Sequence, residues 1–263
     1  MTSHLTRARE IVSTLTVDEK VRLLSGADQW NTEAIPSRGV LATSVSDGPH
    51  GLRHQAPDED HVGLDSSDPA TCFPTASALG ATWDPALISE VGAALAREAR
   101  SLDVDVILGP GLNIKRHPAG GRSFEYLSED PILAGRMAVA MVNGIQSQGI
   151  GACLKHFAAN SQERDRLRSV SVVDERTLRE IYLTGFEIAV KESQPWTVMC
   201  SYNKVNGTHA SQHRRLLTDI LRDEWGFEGL VMSDWYAVAD RAKGVAAGLD
   251  LEMPGSSGMY DHE

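Results

Sequence analysis

This 263-residue chain lacks any C-x-x-C pair. Cys72, Cys153 and Cys200 stand far apart, which excludes a disulfide framework or a zinc ribbon and leaves packed thiols. No stretch approaches the roughly 18 apolar residues of a membrane span, so no membrane partner is expected. The first residues carry no apolar core of a secretory signal, and a cytoplasmic protein is the expectation. Positive charge is also scarce: the net charge of -11 argues against nucleic acid, whose phosphates need clustered Lys and Arg. Gly109-Pro110-Gly111 does not fit G-x-G-x-x-G, so no dinucleotide loop is indicated. Asp58-Glu59-Asp60 lacks the spacing of a calcium loop and reads as solvated surface.

What is present is apolar enough, at 41% hydrophobic residues, to build a sizeable core. Strand-like and helix-like stretches alternate without repeats or linkers, the pattern of a parallel sheet, either barrel or doubly wound. A (β/α)8 TIM-type barrel needs about 250 residues, so one such barrel is the economical reading. Seven strand candidates are Leu41–Ser46, Ala76–Trp83, Asp103–Leu108, Ala152–Phe157, Trp196–Cys200, Gly229–Met232 and Leu249–Met253. Residues 1–40 form a helical lead-in, with a capping box at Thr16 and Glu19; residues 41–254 form the barrel, and 255–263 a tail. Helices are expected from Asp84-Pro85 to Arg100, Pro131 to Gly149, Asp174 to Ser193, Gln212 to Trp225 and Tyr236 to Ala247.

Barrel enzymes keep their site at the C-terminal ends of the strands. There the sequence offers Asp47, Arg122, Lys155, His156, Tyr202 and Asp234. Each has a plainer reading. Asp234 could cap the helix beginning at Tyr236, Asp47 could make an Asx-turn, and Tyr202 could anchor its loop. Lys155 and His156 are neighbours on a strand and would face opposite sides unless the strand ends or twists there. Arg122 sits in an unusually long connection, residues 109–130, of the kind that tends to be functional. Glu125 and Glu129 nearby read as structural partners. Two functions fit this set: a glycosidase with a carboxylate nucleophile, or a sugar-binding barrel without chemistry.

Five segments in order, SDGPHGLR (46–53), GRSFEYLSEDP (121–131), KHFAANSQERDR (155–166), MCSYNKVNG (199–207) and GLVMSDW (229–235), resemble the N-terminal barrel of glycoside hydrolase family 3, the β-glucosidase family. The resemblance implies retaining hydrolysis of β-glucosides or oligosaccharides with no metal or cofactor. It implies Asp234 as nucleophile and Asp47, Arg122, Lys155 and His156 as partners of sugar hydroxyls. Tyr202 would sit beside the nucleophile, and Trp235 would wall the pocket; Arg53 matches too but is assigned no contact. Arg122, Lys155 and a protonatable His156 are expected to favour ionised Asp234. In two-domain members a Glu from the C-terminal domain is the acid/base; in single-domain N-acetylglucosaminidases a His-Asp pair serves. The loop AANSQERDRLRS (158–169) contains no His. The acid/base is therefore expected from a C-terminal domain or second chain, with Glu163 as a local substitute. Xylosidase or N-acetylglucosaminidase specificity and a silent sugar-binding fragment are the alternatives. With no helix able to follow Leu249–Met253, one flank of the barrel is expected to lie open unless residues before 26 cover it.

Overall fold

The structure is a computed structural model that describes residues 2–55 and 67–255, with side chains from residue 5 onward. Asp58-Glu59-Asp60 and the expected tail lie outside the described residues, apart from Gly255. Eight strands follow in chain order: β1 (Val45–Ser46), β2 (Val106–Ile107), β3 (Gly151–Phe157), β4 (Val170–Ser171), β5 (Thr197–Cys200), β6 (Lys204–Val205), β7 (Thr208–His209) and β8 (Leu230–Met232). Five of them make one parallel sheet in the order β1-β2-β3-β5-β8, curved as a half-barrel. The others form a small second sheet, β4-β6-β7, in which β6 and β7 are joined by Asn206-Gly207, both at positive φ.

Short pairings extend the large sheet past β8. Met232 bridges Leu251 in parallel, Ser25 bridges Glu252, Gly26 bridges Thr32, and Asn31 bridges Ser44, one residue before β1. The lead-in therefore contributes backbone to the sheet as well as helices. Through these bridges residues 25–32 lie between the Leu251–Glu252 segment and β1. Arg241 fastens this seam from a 7% exposed position, its guanidinium on Glu252 at 2.5 Å.

Alternation along the strands sorts the core into two. Val45, Val106, Leu108, Cys153, Met199, Met232 and Leu251 point inward and pack with Trp30 and Met253. Ile107, Ala152, Leu154, Val198, Cys200 and Val231 point outward, under the helices. Among those helices, Pro85–Ser101, Pro131–Gln146 and Thr184–Ser193 lie side by side. The first two cross closely because a Cβ on Gly144 would stand 2.2 Å from the Ser89 carbonyl oxygen. Cys153 and Cys200 are buried free thiols, as packed thiols should be, whereas Cys72 is exposed. No helix among the described residues is long and apolar enough to cross a membrane.

Two expectations are corrected. Ala76–Trp83 contains a helix, Ala76–Gly80, because the Thr75 side chain accepts from the Ala78 N–H and opens a turn in a stretch of small helix-tolerant residues. The last helix begins at Arg241 rather than Tyr236, capped by Asp240, which accepts from Lys243 N–H at 2.9 Å. The caps at Thr16 and Asp84 stand where the sequence puts them, and Asp130 and Asp174 cap the helices that follow them.

Candidate active site

With Asp240 as the cap, Asp234 has no helix to cap. It follows β8 directly, only 6% exposed, beside a cleft of about 440 Å³ over the C-terminal ends of the strands. All seven residues singled out from the sequence line this one cleft: Asp47, Arg122, Lys155, His156, Tyr202, Asp234 and Trp235. Sequence reasoning assigned no cleft role to Gln29, Trp30, Arg53, Arg166 and Tyr236, which line it as well. Leu108 and Met199 give it an apolar floor.

One wall is a chain of charges. Lys155 Nζ lies 2.9 Å from Asp47 Oδ1 and 3.0 Å from Glu125 Oε1. Arg122 grips the same Glu125 through Nε at 2.7 Å and Nη2 at 2.9 Å. Arg53 approaches Asp47 Oδ2 at 3.5 Å. Glu125 is thus the structural partner expected, and it fixes both cations. Burial alone would raise its pKa, but Lys155 and Arg122 outweigh burial and hold it down to about 2. Lys155, 2% exposed, is kept charged because its two carboxylates outweigh its own desolvation.

The register shifts between Leu154 and Phe157, and this is how Lys155 and His156 both reach the cleft despite being neighbours. His156 is 1% exposed. Its Nδ1 lies 3.1 Å from the Tyr126 hydroxyl, and its Nε2 lies 3.6 Å from Asp234 Oδ2. Burial, reinforced by Arg122 and Lys155, pushes its pKa well below the ordinary value, so the ring is neutral. The expected help from a protonated His156 is therefore absent.

Asp234 differs from Glu125, the other acid buried among the described residues. Its Oδ1 accepts the Trp235 N–H at 2.8 Å, while its Oδ2 has no hydrogen-bond partner. Burial raises its pKa to about 6, against the pull of Arg122, the Trp235 N–H, Tyr202 and Lys155. The cations do favour its charged form, as expected, but burial outweighs them. The phenol of Tyr202 is pushed up by burial and by Asp234, and the Arg166 guanidinium stacks on its ring 4.1 Å from the centroid. Trp235 Nε1 donates to the Gln29 carbonyl at 3.0 Å, and its ring meets Trp30 at 5.6 Å. The lead-in thereby builds part of the cleft wall.

Glu163 does not line this cleft. It accepts from Asn160 at 3.2 Å and from Arg166 at 3.0 Å.

An ionisable carboxylate with one open oxygen, set among charged and hydrogen-bonding side chains and flat aromatic rings, has the chemistry that attack on a sugar requires. Residues 45–257 match the glycosyl hydrolase family 3 N terminal domain, which spans all five motifs. The chain belongs to this family. Among relatives of the family 3 domain, thermostable beta-glucosidase B of Acetivibrio thermocellus is 52% identical over 253 residues, 96% of this chain and 34% of that protein. An exo-alpha-(1->6)-L-arabinopyranosidase of Bifidobacterium breve is 56% identical over 246 residues, 93% of this chain and 32% of that protein. Beta-glucosidase 3B of Thermotoga neapolitana, solved in complex with alpha-D-glucose, superposes with a TM-score of 0.90 at 46% identity, covering 96% of this chain and 37% of the other. The family 3 domain described here thus spans about a third of the length of these curated relatives.

Proposed function

We propose that this domain carries the nucleophilic half of a retaining β-glucosidase. Asp234 Oδ2 forms a bond to the anomeric carbon of a terminal non-reducing β-D-glucosyl residue as the bond to the leaving oxygen breaks. The result is a covalent glycosyl-aspartate, which water then hydrolyses. Asp47, Arg122, Lys155 and His156 hold sugar hydroxyls, Tyr202 orients the nucleophile, and Trp235 with Trp30 covers the apolar C–H face. The observation that carries this reading is the buried Asp234 oxygen without a partner, beside the cleft.

Retention needs a second carboxyl as acid and base. Among the described residues lining the cleft, the carboxylates are Asp47 and Asp234, and Asp47 is engaged by Lys155 and Arg53. Glu163 is occupied by Asn160 and Arg166 and loses its claim as a substitute. We therefore assign the acid/base to a C-terminal domain or second chain. An acid/base of this kind contributes on the order of 10²–10⁴ in rate. We also take residues 1–263 as one domain, its sheet an incomplete (β/α)8-type barrel in which segments 25–32 take the place of missing strand–helix units.

The test compares two glucosides. A dinitrophenyl β-glucoside, whose leaving group needs no protonation, is expected to give a burst of about one dinitrophenolate per protein. A simple alkyl β-glucoside is expected to give almost none. Absence of any burst from folded protein would contradict the proposal. The second reading, a silent sugar-binding barrel, draws on Asp47, the other carboxylate among the described residues lining the cleft, being engaged by Lys155 and Arg53. Heat of glucose binding without a burst would favour it. Relatives named for glucosides and for arabinopyranosides leave xylose, arabinose and N-acetylglucosamine to be tested as substrates beside glucose.

A further inference from the structure

Tyr126 is a buried titratable group that the reaction above does not use. It is 3% exposed and does not line the cleft. Among the described residues its hydroxyl makes one hydrogen bond, to His156 Nδ1 at 3.1 Å. We infer that Tyr126 is a positioning residue whose hydroxyl donates to His156 Nδ1 and so presents the Nε2–H of a neutral ring to Asp234 Oδ2.

The donor assignment follows from counting protons. A neutral imidazole carries one N–H and one lone pair, and the second follows from where the first is fixed. If Nδ1 carried the proton, it would donate to Tyr126, and the buried phenol proton would have no acceptor. The Nε2 lone pair would then face a carboxylate oxygen 3.6 Å away, lone pair against lone pair. With Tyr126 as donor, both conflicts vanish. The groups around the ring pull both ways: burial opposes a positive imidazolium most, Arg122, Lys155 and Arg166 add to it, Asp47 and the facing Asp234 favour one, and the neutral form wins. Burial keeps the Tyr126 phenol protonated and able to donate. Asn113 holds the backbone of the same residue, accepting from His156 N–H at 2.7 Å and donating to its carbonyl at 2.9 Å. The ring is thus held at its backbone and at Nδ1, with Nε2 left to face Asp234.

The consequence for the site rests on Asp234 being the nucleophile; the tautomer itself does not. A neutral N–H steadies Oδ2 without giving it the full cation that Glu125 has, so the oxygen stays available. Tyr126 can donate only while Nδ1 lacks a proton; once Nδ1 is protonated the bond must reverse and the buried phenol proton is left without an acceptor. Removing the hydroxyl makes the imidazolium easier to form, and that added charge beside Asp234 lowers the pKa of the carboxyl.

The experiment uses the whole chain labelled with ¹⁵N and long-range ¹H–¹⁵N spectra of the histidine rings, with His156 assigned by its loss in His156→Gln. Wild type is expected to show a neutral Nε2–H ring, unchanged from about pH 8 to about pH 5. In Tyr126→Phe the Nδ1 resonance moves to that of a nitrogen without a hydrogen-bond donor, and the ring takes up a proton at higher pH than in wild type. The acid limb of the rate of labelling by an activated 2-fluoro β-glucoside moves to lower pH. A wild-type Nδ1–H ring overturns the inference, and so do His156 signals that ignore Tyr126→Phe. Should Tyr126→Phe fail to fold, the wild-type tautomer still decides. The expected spectra with no labelling would uphold the inference and sink the hydrolase reading.

Discussion

Glu125, behind the charged wall of the cleft, and Asp234, which lines it, are both buried carboxylates, 5% and 6% exposed. Their acidities have moved in opposite directions, to about 2 and about 6. Burial penalises both anions. Glu125 has a guanidinium fork and an ammonium in contact, whereas Asp234 has one backbone N–H, the nearby Tyr202 phenol and a neutral imidazole 3.6 Å away. Burial sets the cost, and partners decide whether it is met. Glu125, fully compensated, is scaffold that aims Arg122 and Lys155. Asp234 is left short of partners, which makes its oxygen free to react and its presence a burden on the fold.

The sharpest way to break this comparison is to remove each acid's distinguishing feature. Asp234→Ala is expected to slow labelling by an activated 2-fluoro β-glucoside by on the order of 10⁴–10⁶, the usual scale for losing a nucleophile, with far-UV circular dichroism unchanged. Lys155→Met attacks the charged wall and leaves Asp47 and Glu125 without their shared cation. Breaking a buried pair costs about 3–5 kcal/mol, so the urea midpoint should fall steeply.

The third prediction has the opposite sign. Asp234 carries a folded pKa of about 6, above its ordinary value of 3.8, so the folded state holds the proton more tightly between those limits. The stability it contributes is present at low pH and is lost as pH rises through about 6. Asp234→Asn should therefore abolish labelling while stabilising the fold at about pH 8 by up to roughly 3 kcal/mol, with little change at about pH 4. Glu125 runs the other way: its contribution is present above its ordinary value of 4.5 and is lost as pH falls through about 2. Equal stability of wild type and Asp234→Asn at the higher pH would show that Asp234 is compensated after all. The smallest effect belongs to Glu163→Gln, expected to change the labelling rate by no more than about twofold, the scale of a change away from the cleft.

The strand ends were the legible part of this site. An apolar run that stops at Ser233-Asp234-Trp235 marks the rim of a buried sheet, and the five motifs bring their side chains to one place. What escaped depends on contacts between distant segments. Gln29 and Trp30 lie in a turn closed by the single bridge Gly26–Thr32 and followed by Asn31–Ser44, pairings too short to leave a periodic trace in sequence. Strand alternation separates Lys155 from His156, and the register shift after Leu154 undoes that separation. Asp234 reads as a helix cap until the chain is seen to turn through Tyr236, at φ 63°, and to start its helix at Asp240. The neutral state of His156 depends on how completely it is buried, which residue type does not reveal. Arg166 lies in a motif, yet only the fold stacks it on Tyr202.

The most direct measurement is peptide mapping by tandem mass spectrometry after labelling with the activated 2-fluoro β-glucoside, repeated across pH. One sugar should be found on the peptide containing Asp234, with a labelling rate that falls about tenfold per pH unit below about 6 and levels off above it. Sugar attached instead to Asp47 or Glu163, or no label on a folded chain, would contradict the assignment of the uncompensated carboxylate as the group that reacts.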